Sequence, residues 1–248
     1  MNSEIRKGIV GVPRIASSMS GFTLVEIAVV LVILALLLAT VLGPLATRLE
    51  AEERQRAQDE LSEIKEAILG FAVSNGRMPC PDIDGDGAED RTAGACTDPI
   101  GNTYVIAGLP WQTLGVDRED PWTNNYLYGV TKSFADNPPS GTTGTCTTAA
   151  ALSSFNLCDP GNIIINDENG TLVATVPAIV VSPGKNRNSA ALTVSGALSA
   201  FEAENADGDD IFVSKNFSRD ATLEFDDLVV WTSPNILKNR MVVAGRLP

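Results

Sequence analysis

A long uncharged run near the N-terminus constrains this chain more than any other feature. From Ile27 to Leu42 no side chain is charged, and Thr40 is the only polar residue. With its flanks the segment covers residues 22–46, about 25 residues, and a helix of that length at about 1.5 Å per residue spans a bilayer. Glu26 is the one charge within it. Because an intramembrane carboxylate is costly, Glu26 is a candidate functional residue that needs a partner.

The residues around Glu26 form a recognisable string. Gly21-Phe-Thr-Leu-Val-Glu26, followed by the apolar run, resembles the N-terminus of type IV pilins and type II secretion pseudopilins. The resemblance is strongest over residues 21–75. It implies that a prepilin peptidase cleaves after Gly21 and that the new N-terminus, Phe22, is methylated. It also implies that the apolar helix packs into a filament core, where Glu26 pairs with the Phe22 amine of a neighbouring subunit.

The same resemblance predicts the fold class and the division of the chain. We expect an α+β protein in which a long N-terminal helix, with a transmembrane half and an amphipathic half, packs on an antiparallel β-sheet with disulfide-closed loops. The predicted segments are a leader at 1–21, a transmembrane and assembly helix at 22–46, an amphipathic helix at 47–76, and a β-rich globular domain at 77–248.

Charge on the leader predicts the location of the protein. Basic residues precede the apolar run, which places that end in the cytoplasm. We therefore expect a single-pass inner-membrane protein with its C-terminal domain in the periplasm, later assembled into a pilus or pseudopilus. The expected partners are other pilin or pseudopilin subunits, the prepilin peptidase, an inner-membrane assembly platform and the membrane. The alternative is a membrane-anchored envelope binding or adhesion module that keeps an uncleaved signal anchor.

Composition excludes several classes of function. The net charge is −13, and the leader carries Arg6, Lys7 and Arg14 against Glu4, so the remainder would carry −15. Such a surface repels phosphate backbones, and no nucleic-acid partner is expected. The chain has no histidine, which removes the commonest general base. No nucleophile–base spacing is visible, so we do not expect an enzyme.

Helical spacing continues beyond the apolar run. Apolar residues recur at intervals of three and four and predict a stripe that packs on a sheet. These residues are Ala57, Leu61, Ile64, Ile68 and Phe71. The charged residues on the other faces are expected to be solvated. Asn75-Gly76 predicts a left-handed C-terminal cap.

Four cysteines follow the apolar run. They are Cys80, Cys96, Cys146 and Cys158. An even count in a translocated domain favours two disulfides in an oxidising compartment, with three possible connectivities. We favour Cys80–Cys96 and Cys146–Cys158 because each pair closes a short loop. The alternative is four reduced, buried thiols.

The first acidic loop makes calcium the candidate cofactor. Asp82, Asp84 and Asp86 alternate before a glycine, as in the front half of a calcium loop, and Asp90 stands where a water-bridged ligand often lies. The closing glutamate is absent because Ala93 occupies its position. The alternative is a polar turn between Cys80 and Cys96.

A second acidic cluster lies late in the chain, at residues 202–210. Its position resembles the calcium-binding loop of major pseudopilins, although the residues do not match one for one. The candidate ligands are Glu204, Asp207, Asp209 and Asp210. The alternative is a solvated turn rich in aspartate.

Strand and turn signals complete the prediction. Asp120-Pro-Trp-Thr123, followed by Tyr126 and Tyr128, resembles the start of the sheet in major pseudopilins, where the family usually has glycine in place of Thr123. Asn169-Gly170 predicts a hairpin. The predicted strands are 162–165, 172–176, 178–181 and 225–231, and Ser233-Pro234 predicts the start of a final helix.

Overall fold

The longest element is α1, Leu24–Asn75, a helix of 52 residues. In this computed structural model the described residues are 21–98, 100–137, 152–186, 199–220 and 224–247, with the side chains of 39–46 excepted. The chain divides into two compact units, Met1–Leu49 and Glu50–Pro248. We call the second unit the globular domain. The predicted leader lies outside the described residues, apart from Gly21.

The predicted transmembrane half of the helix is wrong. In the part of the chain that the structure describes, no helix has both the length and the apolar content needed to cross a membrane. The expected single-pass inner-membrane location, with a periplasmic domain, is contradicted by the same finding.

The α+β class with antiparallel sheets is present in the globular domain. After α1 the short hairpin strands are β1 (Arg91–Thr92) and β2 (Ala95–Cys96), followed by β3 (Tyr104–Gly108), α2 (Trp111–Leu114), β4 (Leu127–Thr131) and α3 (Lys132–Ala135). Next come β5 (Ile163–Asn166), β6 (Leu172–Val176), β7 (Ala178–Ser182) and α4 (Ala200–Glu204). The last elements are β8 (Ile211–Val213), β9 (Leu228–Thr232) and α5 (Pro234–Val243).

Two sheets organise the domain. The larger has the strand order β3-β4-β7-β9, and every neighbouring pair is antiparallel. The smaller has the order β6-β5-β8, in which β5 pairs antiparallel with β6 and parallel with β8. Gly170 adopts a positive φ of 74° in the loop between β5 and β6. The prediction of a hairpin at Asn169-Gly170 is therefore confirmed.

Alternation along the strands builds a core on each face of the larger sheet. On one face Tyr126, Tyr128 and Val180 pack with the buried stripe of α1. On the other face Leu127 and Ile179 pack with residues of the smaller sheet. Three layers result, with helix, four-stranded sheet and three-stranded sheet stacked in that order.

The C-terminal part of α1 follows the predicted stripe closely. Ala57, Leu61, Ile64 and Ile68 are all at most 1% exposed. Phe71 is only half-buried, and the guanidinium of Arg77 lies over its ring. The helix ends at the predicted place, because Gly76 has a φ of 73° and its N–H donates to the carbonyl of Ala72.

We expected the polar face of α1 to be solvated, but several of its carboxylates contact the rest of the domain. Glu53 accepts a hydrogen bond from Trp122 Nε1 at 3.0 Å, and Glu60 accepts one from the Tyr126 hydroxyl at 2.8 Å. Two further glutamates of the helix form ion pairs. These pairs are Glu50 with Arg219 and Glu66 with Arg240. The helix therefore contacts the rest of the domain through carboxylates as well as through its apolar stripe.

Candidate functional site

The predicted cleavage site lies immediately before α1. Gly21, Phe22 and Thr23 are not helical, and Phe22 is 78% exposed. The Thr23 hydroxyl accepts a hydrogen bond from the N–H of Glu26 at 3.2 Å, which satisfies one of the free donors at the helix N-terminus. No other part of the described chain comes within 4 Å of a Cβ placed on Gly21. Gly21 and Phe22 are thus not covered by any of the described residues.

The apolar residues that follow are uncovered. Thirteen large apolar side chains between Phe22 and Leu38 are 47–86% exposed. Glu26 lies among them, and its carboxylate has no ion-pair partner among the described residues. We call residues 22–38 the apolar N-terminal segment.

The first acidic loop brings three of its four predicted ligands together. Asp82, Asp84 and Asp86 each place one carboxylate oxygen within 4.8 Å of the others. Asp84 and Asp86 are exposed, and each accepts a hydrogen bond from the backbone two residues later, at 3.1 and 2.7 Å. Both oxygens of Asp82 are also used, by the N–H groups of Gly85 and Gly87. The loop is therefore held by its own backbone donors.

Asp90 lies apart from that group. Its Oδ2 accepts the N–H groups of Ile83 and Asp84 at 2.6 and 3.2 Å, so it closes the loop from the other side. Next to it, Glu89 forms a two-fold ion pair with Arg77, at 2.7 and 2.5 Å. Burial alone raises the pKa of the Glu89 carboxyl, but the hydrogen bonds from Arg77 and from the Cys80 N–H hold that pKa below its ordinary range.

The second acidic cluster does not converge in the way its sequence predicted. Of the predicted ligands Glu204, Asp207, Asp209 and Asp210, no three bring carboxylate oxygens together within the described chain. Asp207 and Asp209 instead accept N–H groups two residues later, at 3.1 and 2.7 Å, and form turns. Burial, followed by the charges of Asp207 and Asp209, raises the pKa of Glu204.

A buried group of three carboxylates was not predicted. Glu202 on α4 and Asp226 and Asp227 before β9 are 2%, 7% and 6% exposed. One oxygen of each lies within 4.8 Å of the others. We call these three residues the buried carboxylate trio. Burial, followed by the charge of Glu202, raises the pKa of Asp226 to about 6.

Amide donors surround the trio. Asn186 Nδ2 donates to both oxygens of Glu202 at 3.0 and 3.1 Å, and Asn205 Nδ2 donates to Asp227 Oδ2 at 2.9 Å. The N–H groups of Lys185 and Asn186 donate to Asp226 Oδ2 at 2.9 and 3.2 Å. The other oxygen of Asp226, Oδ1, is buried and has no hydrogen-bond partner among the described residues.

The sequence gives little indication of the trio. Glu202 belongs to the late acidic cluster, but Asp226 and Asp227 lie more than twenty residues further on. The one sequence signal that could have indicated the trio is the pair Asp226 and Asp227, directly before an apolar strand. Residues at the start of such a strand are expected to be buried on both faces of the sheet. Spacing within a single loop could not reveal this site, since it is assembled from separate segments.

One of the two predicted disulfides is observed in full. Cys80 and Cys96 are bonded, with their Cα atoms 5.2 Å apart. Cys158 is also disulfide-bonded, and its predicted partner, Cys146, lies outside the described residues. The alternative of four reduced thiols is therefore wrong.

No family model, curated protein or solved structure matches this chain. The likeness to pilins therefore depends on the residues of the sequence alone.

Proposed function

We propose that this chain is a structural subunit of a filament, a pseudopilin or minor pilin of a type II secretion pseudopilus or a type IV pilus. A prepilin peptidase removes residues 1–21, and the subunit then assembles through its N-terminal helix. The observation that carries the proposal is the contiguous, exposed apolar N-terminal segment that begins directly after the Gly21–Phe22 bond.

The size of the apolar N-terminal segment favours burial against other subunits. Fully burying one large apolar side chain contributes about 1.5–3 kcal/mol. The thirteen exposed side chains are roughly half covered already, so their complete burial would contribute about 10–20 kcal/mol. Association costs about 4–15 kcal/mol in lost motion. The gain is large enough to drive assembly, and a segment of this kind on an isolated chain marks an interaction surface.

Glu26 supplies specificity in this proposal. Cleavage creates a positive amine at Phe22, four residues before the carboxylate. Within an apolar filament core, a charge left alone is far more costly than a charge that is paired. Pairing of Glu26 with the Phe22 amine of a neighbouring subunit would neutralise both groups and set the register between subunits.

Mass spectrometry of the N-terminus of the native protein tests this proposal. We expect a chain that begins at Phe22 and carries a methyl group on its amine. A chain that retains Met1 and the leader would contradict the proposal and support the uncleaved binding module instead.

Gly21→Leu provides a sharper version of the test. Because a Cβ at Gly21 meets none of the described residues within 4 Å, the substitution should not disturb the described fold, and its effect should arise in the peptidase site. We expect the leader to remain attached, which is visible as a larger species on a gel. Gly11→Leu in the same leader is the matched control and should be processed normally. Equal processing of both variants would count against cleavage after Gly21.

A further inference from the structure

The tip of the β5–β6 hairpin carries a short motif that the proposed function does not use. Its sequence is Asp167-Glu-Asn-Gly-Thr171, in which Asn169 is followed two residues later by a threonine. Asparagine at this spacing from serine or threonine, with any residue except proline between them, is the acceptor for N-linked glycosylation. The motif therefore raises the question of whether the fold presents Asn169 to a transferase.

The acceptor lies at the surface of the domain. Asn169, Gly170 and Thr171 are all exposed. A Cβ placed on Gly170 would meet none of the described residues within 4 Å, so the space around the tip is open. Because a glycan is bulky, its acceptor must lie on such a surface loop. The hairpin thus offers the asparagine amide to an enzyme without any change in the fold.

Asp167 fixes the shape of the motif. Its Oδ1 accepts the N–H groups of Asn169 and Thr171, both at 2.8 Å, and its own N–H donates to the Thr171 carbonyl at 2.9 Å. The N–H groups of Thr171 and Asn169, and less strongly their side chains, lower the pKa of the Asp167 carboxyl. The asparagine amide and the threonine hydroxyl therefore lie near one carboxylate, and the turn holds both groups of the acceptor motif together.

The strand that follows the motif gives a physical reason for a modification at this place. β6 is an outer strand of the smaller sheet, and Leu172 and Val173 are 59% and 52% exposed. From Thr171 to Ser182 no residue is charged. An exposed, uncharged edge strand tends to pair with other chains, and natural proteins cover or charge such edges. A hydrophilic glycan next to Leu172 would cover this edge.

The disulfides indicate a compartment in which this modification occurs. N-linked glycosylation is a modification of secreted proteins, and disulfides form and persist in the same oxidising environments. Cys80 is bonded to Cys96, and Cys158 is also disulfide-bonded. This evidence is independent of the motif itself.

We propose that Asn169 is an N-glycosylation site. The donor is an oligosaccharide activated as a lipid-linked diphosphate, and the enzyme is an oligosaccharyltransferase. The Nδ2 atom of Asn169 forms a bond to the anomeric carbon of the sugar and loses one proton to a base of the enzyme. The bond from that carbon to the diphosphate oxygen breaks, and the lipid diphosphate leaves with the electron pair. This site does not depend on the proposed filament function, because it uses only the hairpin tip and a transferase.

A second asparagine with the same spacing provides the internal comparison. It is Asn216, which precedes Ser218 by two residues, but Ser214 stands where the first motif has an aspartate. The backbone of Ser218 forms two hydrogen bonds of 3.0 Å with Phe225, and its hydroxyl accepts a further backbone N–H at 3.3 Å. The serine of this motif is thus engaged within the domain, and Asn216 serves as the matched control.

Mass spectrometry of the full chain, isolated from the cells that naturally produce it, tests the proposal. We expect one glycan, located on the peptide that contains Asn169. Asn169→Gln should lose the whole mass increment, whereas Asn216→Gln should retain it. Thr171→Ala should also lose the increment although the asparagine remains. Thr175→Ala, which changes another exposed threonine of β6, should retain it.

Thr171→Ser separates recognition by the transferase from a structural role of the side chain. Serine keeps the hydroxyl that the acceptor motif requires, so this variant should still carry the glycan. An unmodified Asn169 in the native protein would overturn the proposal, and so would a glycan that persists in Asn169→Gln. An unmodified Asn169 in a chain that begins at Phe22 and forms filaments would overturn this proposal alone and leave the filament function standing.

Discussion

Thr123 carries a local strain that a single substitution should relieve. It is the third residue of the Pro-Trp-Thr turn and has a φ of 67°. A β-branched residue is rarely found in this left-handed region, because its Cβ crowds the following carbonyl. The turn is nevertheless held in place, since the Thr123 N–H donates to the Asp120 carbonyl at 2.9 Å. We expect Thr123→Gly to stabilise the globular domain.

The expected gain follows from two opposing terms. The left-handed conformation costs a residue with a Cβ about 1–2 kcal/mol. Glycine loses more backbone entropy on folding, which costs about 0.5–1 kcal/mol. The Thr123 side chain is exposed, so its removal exposes no packed surface. The net change is a gain of about 0.5–1 kcal/mol in the free energy of unfolding, equivalent to roughly 1–4 °C in the unfolding temperature.

Thermal and denaturant unfolding followed by circular dichroism measures this change. Thr103→Gly is the matched control, because Thr103 is also an exposed loop threonine but is not among the residues with positive φ. With no strain to relieve, Thr103→Gly should lower the free energy of unfolding by about 0.5–1 kcal/mol. If both variants lost stability equally, the backbone of Thr123 would not be strained and the reasoning would fail.

Three further predictions concern the N-terminus and the first acidic loop. Glu26→Ala should leave cleavage intact but reduce incorporation into filaments, measured by sedimentation; normal incorporation would contradict the pairing role. Glu89→Gln should lower the free energy of unfolding by about 1.5–3 kcal/mol by weakening the bond to Arg77. Since the folded pKa of Glu89 is lowered, its stabilisation is present above about pH 4.5 and is lost as the pH falls below it; a variant with the same acid sensitivity as the parent would refute this. Replacing Cys80 and Cys96 by serine should cost about 3 kcal/mol for a loop of 16 residues, and an unchanged denaturation midpoint would argue against that figure.

Local rules predicted much of the globular domain. The three-and-four spacing of Leu61, Ile64 and Ile68 identified the face of α1 that packs on the sheet, because helix geometry alone determines which residues share a face. Gly76 and Gly170 marked a helix end and a hairpin, since both positions need positive φ. These features depend on residues close together in the chain.

Long-range contacts were the part that local rules missed. The polar face of α1 was predicted to be solvated, but Glu53 and Glu60 bond side chains about 69 and 66 positions away. The predicted calcium ligands likewise lay within single loops. In the first acidic loop the carboxylates of Asp82, Asp84 and Asp86 accept N–H groups from the backbone of the same loop. The trio could not be predicted in this way, because Asp226 and Glu202 meet only through tertiary structure.

Asp120 and the trio differ in how their buried carboxylates are stabilised. Asp120 is also buried, at 4% exposure, and it accepts the N–H groups of Trp122 and Asn124 and the Ser182 hydroxyl. Three neutral donors are enough to stabilise one isolated carboxylate. Neutral donors do not cancel charge, however, and three carboxylates within a few ångströms repel one another strongly in a buried setting. In the trio such donors serve three neighbouring carboxylates, and burial, followed by the charge of Glu202, raises the pKa of Asp226 to about 6.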